Sequence, residues 1–302
     1  MKPYLHRCAR APLKHSGALQ YLFVMLNDLF HSLDPVAFSV GPFSVRWYGI
    51  AYVLGFLFTA VTMYRVAKHW RIKVGVDQVS TIIMWIIIGV ILGARLGYVL
   101  FYGGDYYLQN PSKILMFNEG GMSFHGGLIG ATLGGFIAAR QLKMPFVTIA
   151  DLVVIGAPIG LFFGRCANFV NGELWGAETS LPWGVVFGGF AGDVPRHPTQ
   201  LYEAFLEGIV LFVVLYALSR KVPARPRGTF LGTFLLLYGI FRFLIEFVRQ
   251  PDAHIGYLAG GWLTMGQVLS VPLVLCGIAV LVWANHAKLP QQGVEVTDKT
   301  VS

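Results

Sequence analysis

The chain has 302 residues, 55% of them hydrophobic and only 13% charged, with a formal net charge of +8. A water-soluble domain carries about 25% charged residues, so this composition excludes one and points to helices packed within a bilayer. The excess basic residues sort into particular loops, so membrane topology accounts for them and no nucleic-acid partner is expected.

Residues 1–24 are basic and weakly patterned, with Lys2, Arg7, Arg10 and Lys14. Their apolar part, ALQYLFVML, is short and has no small-residue cleavage site, which argues against a cleaved signal peptide. Pro3 and Pro12 argue against a surface amphipathic helix. Met25 reads as the true start, which makes 1–24 a basic extension. Residues 25–286 read as a seven-span transmembrane domain and 287–302 as a polar cytoplasmic tail.

Seven hydrophobic spans are expected, at roughly 44–64, 80–102, 123–139, 147–167, 200–219, 229–248 and 263–284. Only ARQLKMP separates the third from the fourth, which predicts a tight turn between antiparallel helices. Arg65, Lys68, Arg71 and Lys73 follow the first span, Arg140 and Lys143 the third, and Arg220, Lys221, Arg225 and Arg227 the fifth; Lys288 opens the tail. Those loops read as cytoplasmic. The intervening loops hold Asp105, Glu119, Glu173, Glu178, Asp193 and Asp252 and read as outer. The expected fold is therefore all-α: a polytopic transmembrane helix bundle of about seven spans, with its N-terminus outside and its C-terminus cytoplasmic. Only the basic opening segment disagrees.

With that orientation, the polar residues of the spans gather in one leaflet. Tyr48 and Arg46 fall at the outer end of the first span, Arg95 in the outer half of the second and His125 at the outer start of the third. Gln200, Tyr202, Glu203 and Glu207 lie along the outer half of the fifth. Tyr238, Arg242, Glu246 and Arg249 follow spacings of four, four and three on the sixth, so they share one helix face. Snorkelling to headgroups would serve both interfaces, so it does not explain the asymmetry.

The fourth span runs from ADLVVIGAPIGLFF straight into GRCANFVNGELWG, Gly164 to Gly176. Arg165 and Asn168 lie one turn apart on a common face. A guanidinium near hydrocarbon is costly and usually faces a cavity or a partner. Glu173 is expected to pair with an arginine across the bundle. Arg242 and Glu246 also suit a plain intrahelical ion pair. His125, among glycines, suits either a structural hydrogen bond or proton movement near neutral pH. His197, before Pro198, reads as a cap or turn. Cys8, Cys166 and Cys276 are far apart and form no CxxC pair, so neither a disulfide framework nor a zinc site is implied. No metal-ligand spacing, nucleotide loop or GxSxG elbow is present, and no cofactor is expected. Two arginines facing a cavity suit a phosphate, and the nearest phosphates at that depth belong to phospholipids.

GRCANFVNGELWG resembles the signature segment of the prolipoprotein diacylglyceryl transferases. DPVAFSVGPFSVRWYGIAY, GGMSFHGGLIG, RHPTQLYEAFLEG and YGIFRFLIEFVRQPD resemble other segments of that family, in the same order, from Asp34 to the last span. The N-terminal residues and a short segment between the fourth and fifth spans depart from the family. The resemblance implies transfer of the sn-1,2-diacylglyceryl group of phosphatidylglycerol to the lipobox cysteine of a preprolipoprotein in the bacterial inner membrane, with glycerol phosphate released. It implies Arg165 and Arg242 as phosphate ligands, with His125 a candidate base. Tyr48, Asn168, Glu173, Gly176, Glu203, Tyr238 and Glu246 complete the implied site. The nucleophile is then the substrate's thiol, which loses its proton either to a base or because nearby arginines lower its pKa. Two readings stay open beside the enzyme: a lipid transporter or flippase, and a non-catalytic protein that binds anionic lipid. Transporter sites favour the midplane of an internal repeat, and no repeat is visible.

Overall fold

The computed structural model describes residues 17–41, 43–116, 120–250, 256–258 and 260–294. Lys2, Arg7, Arg10, Lys14, Cys8, Glu119 and Asp252 lie outside the described residues.

The chain opens with α1 (Gly17–Ser32), a hairpin of β1 (Val36–Val40) and β2 (Phe43–Arg46), and α2 (Trp47–His69). Then come α3 (Val76–Tyr102), the single turn α4 (Tyr106–Gln109), α5 (Phe124–Leu142) and α6 (Phe146–Asn171). The remaining helices are α7 (Thr199–Glu203), a π-helical segment (Ala204–Val210), α8 (Leu211–Ser219), α9 (Thr229–Ile245) and α10 (Met265–Ala287). Among the described residues, five helical stretches are long and apolar enough to cross a membrane: α2, α3, α6, the continuous run Thr199–Ser219, and α10. The glycine-rich α5 and the 17-residue α9 are helices at the two other predicted positions.

Three features depart from the sequence reading. Residues 44–46, expected to begin the first span, belong to a β-strand instead, so the described residues hold one two-stranded hairpin besides the helices. Its base is fixed by an Asp34 carboxylate that accepts from Val36 N at 2.8 Å and by Trp47 N donating to Pro35 O. The second departure is α1, which has no strong local signal. Leu26, Phe30 and Leu33 cover an apolar cluster of Phe169, Val185, Phe187 and Ala191. Asn27 donates to Gly184 O at 3.1 Å and accepts from Val186 N at 2.8 Å. The contacts that stabilise this helix are distant in sequence, 157 and 159 residues away for the two Asn27 hydrogen bonds, and local propensity carries none of that information. The third is that the run Thr199–Ser219 is interrupted by the π-helical segment, a geometry that is frequent where a helix carries function.

Glycine seams bring the helices together. Gly89, Gly93 and Gly97 of α3 recur every four residues and face Gly126 and Gly130 of α5, and Gly134 lies one turn further along against the Trp85 backbone. A Cβ on Gly130 would lie 1.9 Å from the carbonyl oxygen of Gly89, and one on Gly126 would lie 2.3 Å from that of Gly93. Small residues at four-residue spacing allow backbones to touch, and dispersion then holds helices that hydrocarbon does not drive together. Gly55 against Gly160 does the same for α2 and α6.

The loops rich in lysine and arginine meet at one end of the bundle. There the Trp70 indole donates to Ser219 O at 2.8 Å, and Val294 N donates to Lys73 O at 3.0 Å. Asp151, fully buried near the start of α6, accepts from Gly228 N and Leu231 N at the start of α9, and from the Gln291 amide. The main apolar core, including Met63, Ile82, Leu152, Leu211, Leu215 and Phe230, fills this half of the bundle. The buried ion pairs occupy the other half.

Candidate active site

The segment Gly164–Gly176 carries α6 to its end and folds back on it. Gly172 adopts the left-handed conformation (φ 67°) that closes many helices. The reversal brings Glu173 back over the last turn, where Asn168 and Asn171 both donate to its Oε1, at 2.9 and 3.0 Å. Gln200 donates to the Glu173 carbonyl at 2.6 Å. The expectation that Glu173 would meet an arginine across the bundle is therefore corrected: its carboxylate is used by the asparagines of its own segment.

The arginines find other carboxylates. Arg165 Nε lies 2.8 Å from Glu203 Oε2, and its Nη2 lies 3.4 Å from Glu207 Oε2. Arg242 of α9 pairs with the other oxygen of Glu203 and with Glu246, one turn along its own helix. Arg249 Nη1 reaches Glu246 Oε1 at 3.2 Å. Thr264, which caps α10, donates its hydroxyl to Glu246 Oε2 at 2.6 Å. Tyr238 stacks on Phe234 and lies in the field of Arg165, Glu207, Arg242 and Glu203. Four helical elements thus converge on one ionic cluster.

Burial is unequal within it. The side chains of Glu203, Glu207 and Glu246 are 0–1% exposed, whereas those of Arg165 and Arg242 retain 19% and 15%. The carboxylates are thus closed off, and the arginine side chains beside them keep part of their surface accessible. A guanidinium has five N–H donors, and two nitrogens of each of these arginines lie within ion-pair distance of the carboxylates. The rest suit an anion with several oxygens.

Gly176 supports this arrangement through its backbone. A Cβ there would meet Val248 O at 2.5 Å, His197 Cβ at 2.7 Å and Thr199 Cγ2 at 2.7 Å. Gly176 N donates to His197 O, and Ala177 N donates to Val248 O, so the end of the α6 segment is stitched to the end of α9. His197 serves the turn that the sequence suggested, and burial holds its imidazole below the ordinary histidine range. Its Nδ1 lies 3.2 Å from the Tyr202 hydroxyl.

His125 and Tyr48 stand apart from the cluster. His125 is exposed on the first turn of α5, edge-on to Phe124. Tyr48 is exposed on the first turn of α2, against Tyr52. Neither makes a hydrogen bond or ion pair with the arginines or their carboxylates among the described residues. Glu207, Thr264 and Gly266 belong to the cluster without having been placed in the site by sequence. A Cβ on Gly266 would fall 2.4 Å from the Glu246 carboxyl carbon. Glu207 had a signal, since it lies four residues after Glu203 on the same span; Thr264 and Gly266 had none. Arg95, 2% exposed, has a different role: it donates to the carbonyls of Lys113, Ile114, Gly120 and Gly121 and secures the loop between α3 and α5.

Residues 35–283 match the family model described as prolipoprotein diacylglyceryl transferase. The phosphatidylglycerol–prolipoprotein diacylglyceryl transferase of Geobacter sulfurreducens is 49% identical over 260 residues, covering 86% of this chain and 98% of that protein. The proteins of the same name from Nitratidesulfovibrio vulgaris and Pseudomonas aeruginosa are each 48% identical. Those matches cover 83% and 87% of this chain, and 95% and 97% of the respective relatives. This chain belongs to the prolipoprotein diacylglyceryl transferase family.

Proposed function

We infer that this chain transfers the diacylglyceryl group of phosphatidylglycerol to the lipobox cysteine thiol of a prolipoprotein, as a multi-pass protein of the bacterial cell membrane. The observation that carries this reading is the sharing of Glu203 by Arg165 and Arg242, which sets two partly exposed arginine side chains from different helices side by side.

The reaction is a displacement at carbon. The substrate sulfur attacks the glyceryl carbon bonded to the phosphate oxygen, that C–O bond breaks, and its electron pair leaves with glycerol phosphate. Negative charge grows on the phosphate as the bond breaks. Arg165 and Arg242 are the groups suited to stabilise it, because their geometry is fixed beforehand by the buried carboxylates. Asn168, Glu173, Gly176, Glu203, Tyr238 and Glu246 shape and brace the site. Tyr48 and His125 belong to the approaches used by lipid and peptide. His125 is the candidate acceptor for the thiol proton, with the field of the arginines as the other route to a thiolate.

The finer topology belongs to the same reading. All seven long helical stretches from α2 to α10 cross the membrane, the N-terminus lies outside and the C-terminus is cytoplasmic. The ionic cluster then serves the outer leaflet. The meeting of the lysine- and arginine-rich loops at one end supports this orientation. Residues 1–24 are an extension to a transmembrane domain of 25–286, and 287–302 form the cytoplasmic tail.

The test is direct. Purified protein is incubated with phosphatidylglycerol and a lipobox peptide, and the peptide is weighed by mass spectrometry. A diacylglyceryl mass gain on the cysteine, with glycerol phosphate released, is expected. An unchanged peptide, with phosphatidylglycerol still bound, would overturn the reading in favour of a lipid-binding or lipid-moving protein.

A further inference from the structure

The β1–β2 hairpin is an amphipathic ribbon whose apolar face is largely uncovered among the described residues. Its register pairs Phe38 with Val45 and Val40 with Phe43, which puts these four side chains on one face. The other face pairs Ser39 with Ser44, whose hydroxyls lie 3.1 Å apart. Phe38, Val40 and Phe43 are 53%, 66% and 75% exposed. A two-stranded ribbon alone is marginal in water, and an uncovered apolar face of this kind marks a surface that meets something.

Continuity with a membrane-crossing helix identifies what it meets. Strand β2 ends at Arg46 and α2 begins at Trp47, with no linker between them. Phe43 is three residues from Arg46, about 10 Å along a strand. The headgroup layer on each side of a bilayer is roughly 5–8 Å deep, so the ribbon has the reach to lie within or along it. Arg46 at the ribbon's base, and Trp47 and Tyr48 in the first turn of α2, are exposed. These residue types sit at membrane–water interfaces.

We propose that the β1–β2 ribbon lies on the bilayer with Phe38, Val40, Phe43 and Val45 inserted among the lipids and Ser39 and Ser44 facing water. It fixes the corner between α1 and α2 at headgroup level. The inference rests on the membrane-crossing character of α2 and is independent of the transfer reaction.

The experiment uses the full chain in nanodiscs of phosphatidylglycerol and phosphatidylethanolamine, with Cys8, Cys166 and Cys276 replaced by Ser. A nitroxide is attached to Val40→Cys, Phe43→Cys, Ser39→Cys or Ser44→Cys, one position at a time. Collision rates with oxygen, which concentrates in lipid, and with a water-soluble nickel chelate are compared by electron paramagnetic resonance. The oxygen-to-nickel ratio is expected to be severalfold higher at positions 40 and 43 than at 39 and 44. Equal ratios on the two faces would overturn the proposal in favour of a ribbon in water. Exclusion of both reagents at 40 and 43 would overturn it in favour of a protein partner such as a second copy. A contrast that arises only after a lipobox peptide is added would overturn it in favour of a peptide-docking surface.

Discussion

Arg165 and Arg242 bind opposite oxygens of one carboxylate, that of Glu203. Sequence places these arginines 77 positions apart on different helices, and the shared carboxylate turns them into a single device. Two guanidinium groups held together repel each other. Glu203, with Glu207 and Glu246, offsets that repulsion in a region where an unpaired charge is costly. The cluster therefore both stabilises the bundle and prepares it for an anion.

Arg165→Lys tests the anion role. Lysine keeps the charge but loses the planar fork that engages Glu203 through Nε and Glu207 through Nη2. Transfer to a lipobox peptide should fall by about 10²–10³-fold, the usual effect of removing a donor that stabilises developing charge. Helix content, read by circular dichroism, should not change. Full activity in Arg165→Lys would remove Arg165 from the reaction.

The two buried carboxylates facing Arg165 should differ in importance. Glu203 lies against two arginines, at 2.8 Å from Arg165 and closer still to Arg242, while Glu207 makes one contact, at 3.4 Å, to Arg165. Removing one member of a buried ion pair costs about 3–5 kcal/mol. Glu203→Gln should approach that loss and Glu207→Gln should fall well below it, as read by thermal unfolding in the same detergent. A larger loss for Glu207→Gln would mean that the cluster is organised around the wrong residue.

What was legible in the sequence follows the range of the interactions. Helix positions were readable because a long apolar run reports itself locally. The charged residues of the spans stood out because charges in such runs are rare and costly. Tyr238, Arg242, Glu246 and Arg249 were placed on one face by spacing alone, and the Arg242–Glu246 pair forms as that spacing allows. Partner choice across the bundle was not readable. Glu173 follows the asparagines in sequence and turns back to them because a left-handed glycine reverses the chain, whereas a straight projection aimed it across the bundle. The helix α1 and the role of Thr264 depend on contacts with distant segments. Asp151 sat in view within ADLVVIG, and its partners Gly228, Leu231 and Gln291 gave no sign of themselves.

Glycine substitutions should report the α3–α5 seam position by position. Gly130→Ala puts a methyl group 1.9 Å from a backbone oxygen that no rotamer change can move. It should cost about 1–3 kcal/mol, as overpacking does. Gly127→Ala, three residues earlier on the same helix, makes only ordinary contacts, with Ala94 Cβ at 3.5 Å and Val90 at 3.7 and 3.9 Å, and should be neutral or slightly stabilising. Equal unfolding temperatures for the two variants would show that α3 and α5 do not touch through Gly89 and Gly130.

Replacing Cys8, Cys166 and Cys276 with Ser should leave turnover within about twofold, since surface and packing changes of this size rarely exceed a few tenths of a kcal/mol. Cys166 is half-buried and Cys276 exposed, both free. The reacting thiol belongs to the peptide. Loss of transfer on Cys166→Ser alone, with an acyl-glyceryl adduct trapped on Cys166 in the wild type, would replace direct displacement with a covalent enzyme intermediate.

Asp151→Asn separates stability from chemistry. Asp151 accepts two backbone N–H groups at the start of α9, at 2.7 Å each, and the Gln291 amide at 2.6 Å. An asparagine there must turn its amide toward one of those donors, and leaving a buried donor unsatisfied costs about 1–3 kcal/mol. The start of α9 and residues 289–294 should both loosen, because Arg227 N also donates to Leu289 O beside the same carboxylate. Arg242 lies at the other end of α9, so protein that remains folded at low temperature should transfer diacylglyceryl at the wild-type rate. The measurement pairs an unfolding curve with a rate taken well below its midpoint. A lowered rate with an unchanged midpoint would place Asp151 in the catalytic path, communicating along α9 rather than fastening its end.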